Sequence, residues 1–301
     1  MHIDRRTLLV GAIQATTTLA AMPAAFAQTA ASATTVAGDT AAHAGTVTCT
    51  IDGKAIARAQ VLDWEARRLQ CVWQKLRPHA RTPIRSELDE VRIGTRVSAA
   101  SVAQWRLDLL ALKQQLGSQR LRDILRGELA LSRLTAQLLL ATSFGRYALS
   151  VIEVQCDAGS AAGFAAWFAG RVKANDEATM LVACPDHHVI ETRASGEQYV
   201  LETTGGSPLA SQFDIDHADA AGNPVVLDPG LPHRVGGVAR DGRQTIGYAF
   251  HQFGDGSHGG LRGRLSVAFP RSTPWFMITG HQWHLACEFS NWIEAYLRSL
   301  D

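Results

Sequence analysis

The residues best suited to chemistry stand near the C-terminus, in Gly280-His281-Gln282-Trp283-His284-Leu285-Ala286-Cys287-Glu288. His284 and Glu288 are four apart, so on a helix they share one face a single turn from each other, and His281 precedes His284 by three. Imidazole and carboxylate placed in this way can converge on one divalent cation, and the spacing suits zinc. The same spacing also occurs as ordinary helix polarity, with no metal. His251, in Tyr248-Ala249-Phe250-His251, is a candidate proton donor, and Tyr248 falls on the opposite face of that strand by alternation.

Other catalytic templates fit poorly. There is no G-x-S-x-G elbow, no P-loop and no dinucleotide fingerprint. With 29 Lys+Arg against 28 Asp+Glu and no basic run, the charge makes no case for a nucleic-acid partner, which leaves a small molecule. The five cysteines are 22 or more residues apart outside any C-x-x-C, which argues against a thiolate zinc knuckle, and their odd number leaves one unpaired. In an oxidising compartment Cys156 with Cys184, or Cys49 with Cys71, are the pairs to consider.

The elements that must position these residues follow from periodicity. Residues 1–27 read as an export signal. Arg5-Arg6 precede a mildly apolar stretch and Ala25-Phe26-Ala27 forms a cleavage site, in the pattern of the twin-arginine route. That places the protein in the periplasm or outside the cell, with no membrane anchoring once the segment is removed. Residues 28–44, almost all Ala, Thr, Ser and Gly, read as a disordered linker. Residues 45–145 are mainly helical: Leu62, Leu69, Val72, Trp73 and Leu76 form one stripe, Val102 to Leu116 a second ending at Gly117, and Leu121 to Leu138 a third. A hairpin over Val47–Ile51 with an Asp52-Gly53 turn precedes them.

From residue 146 the period changes. A strand over 147–156 and a helix over 161–173 lead into strand-like runs at 179–184, 188–193, 199–204, 212–216, 235–240, 245–253 and 261–269. A helix from Trp275 to Leu300 closes the chain. This order, an antiparallel sheet around a long C-terminal helix, predicts an α+β helix-grip fold over 146–301 with a cavity between sheet and helix.

Phe164-Ala165-Ala166-Trp167-Phe168, the His187-His188 strand, Tyr199-Val200-Leu201-Glu202, Gly260-Leu261-Arg262-Gly263-Arg264-Leu265 and His284-x-x-x-Glu288 occur in an order that resembles the phloretin hydrolase and diacetylphloroglucinol hydrolase family. The resemblance covers roughly residues 147–301. It implies a Bet v1-like helix-grip domain holding zinc, and hydrolysis of the carbon–carbon bond between an acyl group and a phenolic ring. Carried over, the ligands are Glu202, His284 and Glu288. The family's first histidine follows the Trp-Phe run, where this chain has Ala169-Gly170-Arg171. Either His188, the residue adopted for the fourth ligand, or His187 takes its place, or the site has become a metal-free pocket for a small hydrophobic ligand.

Overall fold

A computed structural model describes residues 45–301, so the expected export signal and linker over 1–44 lie outside the described residues. Two short strands open the fold, β1 (Val47–Ile51) and β2 (Lys54–Ile56), joined at Asp52-Gly53, where both residues adopt positive φ as a two-residue hairpin requires. They are followed by α1 (Arg58–Leu76) and the 45-residue α2 (Ala99–Ser143). The second and third helical stripes are one element bent at Gly117, whose φ of 73° falls outside helical space.

The chain then forms β3 (Tyr147–Cys156), α3 (Ala161–Lys173), α4 (Glu177–Val182), β4 (His187–Thr192), β5 (Gln198–Glu202), β6 (Ser211–Asp216), β7 (His233–Asp241), β8 (Gln244–Asp255), β9 (Leu261–Pro270) and α5 (Trp275–Arg298). One expectation fails here. The 179–184 run is helical, because the Asp176 side chain accepts the Thr179 N–H at 3.2 Å and starts a turn that Met180-Leu181-Val182 continues. So short an apolar run does not distinguish the two states.

All nine strands join one antiparallel sheet in the order β2-β1-β3-β9-β8-β7-β6-β5-β4. The molecule is therefore α+β, with its C-terminal helix laid on the sheet. On that face Leu265, Leu285, Phe289, Ile293 and Phe253 share a core with Phe164 of α3. The Phe164 ring stands 4.9 Å from Phe253 and 5.9 Å from Tyr296. The stripes of α1 and α2 (Leu69, Trp73, Trp105, Leu109) bury a second core against the outward side chains of β4 and β5, Val189, Tyr199 and Leu201.

Helix α1 also reaches α5. Arg106 forms an ion pair with buried Glu65, whose Oε1 accepts from Asn291 Nδ2 at 3.2 Å. The loop after β5 lies against the start of α5 because Gly205 and Gly206 meet Gly280 with almost no gap. A Cβ on Gly280 would come within 2.6 Å of the Gly206 nitrogen. This contact sets Glu202 opposite His284. Gly280→Ala must force the two elements apart, with an expected cost of about 1–3 kcal/mol; urea unfolding beside wild type measures it, and an unchanged midpoint would contradict the close approach.

Candidate metal centre

Four polar side chains meet between β4, β5 and α5. His187 Nε2 lies 3.2 Å from His284 Nε2, 3.1 Å from Glu288 Oε2 and 3.9 Å from Glu202 Oε2. His284 Nε2 is 3.7 Å from Glu202 Oε2 and 3.8 Å from Glu288 Oε2. All four residues are buried. Donors about 2.0–2.2 Å from a tetrahedral zinc stand roughly 3.3–3.6 Å from one another, close to this spread.

The sequence signal for Glu202, His284 and Glu288 leads to this cluster, but His188 lies outside it. His188 Nε2 is bonded to Thr203 Oγ1 at 3.0 Å, and burial, reinforced by the Lys113 charge, holds its ring well below the usual imidazole range. The reason for its exclusion is a β-bulge. His187 pairs with Glu202 and Val189 with Leu201, so His188 has no partner of its own. Counting back by twos from inward Ile190 points to His188; the inserted residue shifts the alternation and turns His187 inward.

His187 is held for this task. Its Nδ1 lies 3.0 Å from the Met180 carbonyl, which only accepts, so Nδ1 carries a ring proton and Nε2 is the nitrogen turned into the cluster, its lone pair offered there whenever the ring is neutral. Cys184 Sγ occupies the matching place behind His284, 3.8 Å from Nδ1. Cys184, His187 and His284 thus form a buried group able to hold a metal ion. Burial raises the Cys184 thiol well above its usual range, with Cys287 adding to it, so without a metal it stays protonated. Behind β4, Asp186 receives a bidentate pair from Arg68, 2.7 Å at the shorter contact, and buried Lys113 donates to the carbonyls of Pro185 (2.9 Å) and His187. These contacts fix the segment that delivers His187. All five cysteines are free thiols, so neither bridge considered from the sequence is present.

The electrostatics of the cluster favour a cation. Burial pushes Glu202 up to about 7, against the pull of His187, and burial raises Glu288 as well. Burial works against charge on His187, but the Glu288 hydrogen bond, the charges of Glu288 and Glu202 and the Met180 carbonyl together outweigh it and raise the imidazole. Without an ion the group must share protons; a dication would neutralise both carboxylates.

A cavity of about 400 Å³ adjoins the cluster, walled mainly by apolar side chains, among them Phe213, Ile215, Val235, Val267, Phe269 and Phe289. His251 faces it, its ring 4.6 Å from Phe289. Its Nδ1 accepts the Ser266 N–H at 3.3 Å, which leaves the proton on Nε2. Tyr248 lies on the other face among Val238, Phe250 and Ala268, its ring 5.2 Å from Tyr147. Burial and the Tyr147 hydrogen bond push Tyr248 up to about 12, and the three-residue step from His251 turns its hydroxyl away from the cluster. His281, also buried and lining the cavity, keeps Nδ1 without a hydrogen-bond partner.

Burial, reinforced by neighbouring imidazoles, lowers His251 to about 3; burial lowers His281 to about 4. Unfolded imidazoles take up protons near pH 6.5. Between that pH and about 4 the unfolded chain binds more protons, so the stability contributed by both residues is complete above pH 6.5 and lost as pH falls. Each site contributes a slope of about 1.4 kcal/mol per pH unit. His251→Leu should flatten the acid limb of stability by that amount, read from urea unfolding at a series of pH values.

No protein-family model, curated protein or solved structure matches this chain.

Proposed function

We propose that the protein is an exported, zinc-dependent hydrolase of helix-grip, Bet v1-like fold, cleaving the carbon–carbon bond between an acyl group and a phenolic or other aromatic ring. The observation that carries the metal is the meeting of His187, Glu202, His284 and Glu288 in a buried cluster with His187 Nε2 turned inward. Two imidazoles and two carboxylates match the donor preference of zinc and neutralise its charge. When bound, and only with a coordination position beyond these four side chains open to the cavity, zinc would polarise the acyl oxygen and lower the pKa of water for attack on the carbonyl.

The chain's own residues supply the rest. The apolar wall receives the aromatic body and excludes bulk water. His251, held neutral with its proton on Nε2, is placed to donate a hydrogen bond to a substrate oxygen, in place of the full proton donation expected from the sequence. Tyr248 has no part in this reading. Hydrolysis consumes one water and releases a carboxylic acid and the ring bearing a new C–H bond. Zinc-loaded protein incubated with a hydroxyaryl ketone should release both products in equal amounts, and a chelator should stop it. No turnover across a panel of such ketones, with zinc bound, would reject the reaction.

The largely apolar wall also favours a second reading, in which the cavity holds a small hydrophobic ligand without turnover. Recovery of a hydrophobic molecule with metal-free protein would support it.

A further inference from the structure

The end of the molecule where α2 stops and α5 begins carries a surface that the cluster does not use. The turn after α2 and the turn before α5 lie side by side, since Ser272 N–H donates to Ser143 Oγ at 2.9 Å and Arg271 N–H to the Arg146 carbonyl at 2.9 Å. Phe144 is 81 % exposed and Trp275 is 75 % exposed on these turns, where soluble surfaces seldom present rings. Phe276, 47 % exposed, also lines the cavity, so the cavity opens at this end.

Along the two chain segments that carry the rings the charge has one sign. No Asp or Glu occurs between Glu128 and Glu153, nor between Asp255 and Glu288, while Arg146 and Arg271 are exposed on the two turns. Arg133, farther back on α2, is matched by Asp241 at 2.7 Å; Arg146 and Arg271 have no such carboxylate among the described residues.

We infer that this end docks on the surface of an anionic phospholipid bilayer. Trp275 and Phe144 would enter the headgroup layer, where amphipathic rings are favoured, and Arg146 and Arg271 would meet lipid phosphates. An apolar molecule dissolved in the bilayer would then reach the cavity past Phe276 without crossing water. The inference stands apart from the hydrolase reading, because a ligand-binding protein would use the same entry.

Co-sedimentation of the full chain with vesicles of phosphatidylglycerol and phosphatidylcholine in equal parts tests it. Wild type should pellet with these vesicles, less so as salt is raised, and much less with phosphatidylcholine alone. Both Phe144→Ser/Trp275→Ser and Arg146→Glu/Arg271→Glu should lower the vesicle affinity by about ten-fold or more. Zinc content and thermal unfolding should be unchanged, because these side chains are exposed and remote from the cluster. Residues 1–44 are common to all variants, so vesicle binding that neither pair of substitutions alters would overturn the inference. So would a wild-type dimer that ignores vesicles and is broken by the Phe144→Ser/Trp275→Ser change, which would assign the face to a second copy of the chain.

Discussion

His187→Ala should abolish stoichiometric zinc binding, while His188→Ala should leave it in place. His187 contributes a nitrogen at the centre of the cluster, within 3.2 Å of both His284 Nε2 and Glu288 Oε2. Loss of a partner that merely orients a ligand typically costs about 10–100-fold in metal affinity, and loss of the ligand itself should exceed that. His188 spends Nε2 on Thr203 and faces the second core, so its removal should lower stability and spare the metal. The two adjacent variants, titrated with zinc under identical conditions, form an internal control. Equal affinities would show that the bulge does not decide which histidine serves the site.

The second large effect is on stability. Arg106→Ala should destabilise the protein by about 3–5 kcal/mol, because Glu65 is fully buried and would keep a carboxylate with Asn291 as its main remaining donor. Glu65 and Asn291 tie α1 to α5 one turn beyond Glu288, so the loss should loosen the helix that carries two of the four cluster residues. Urea unfolding gives the size of the effect. The double replacement Glu65→Leu/Arg106→Leu should recover much of it, since removing both charges leaves none buried alone. A single variant as stable as wild type would show that the buried Glu65 does not depend on Arg106.

Much of this was legible in the sequence for identifiable reasons. His284 and Glu288 were readable because helical spacing puts residues four apart on one face whatever the surroundings, whereas Glu202 was named only through the family resemblance. The final helix, the interruption at Gly117 and the Asp52-Gly53 turn were readable because periodicity and glycine act locally, although the pattern reads as an end at Gly117 where the helix only bends. The choice of His187 over His188 was not readable, because a bulge is a relation between two strands: only the pairing of His187 with Glu202 and Val189 with Leu201 shows the inserted residue. The helix over 177–182 was hidden by a short apolar run whose deciding feature is a single Asp176 cap. Tyr248 and His251 were correctly separated by alternation, but which face meets α5 depends on packing that no local pattern encodes. Lys113, turned onto the carbonyls of Pro185 and His187, carries no sequence signal because it acts from a distant helix.

The central claim is that His187, Glu202, His284 and Glu288 hold one zinc ion, and elemental analysis of the purified protein after mild dialysis tests it most directly. The account predicts close to one zinc per chain, reduced at least ten-fold in affinity by Glu288→Gln with the fold intact. Protein that is folded yet retains no metal, and takes up none when zinc is supplied, would contradict it.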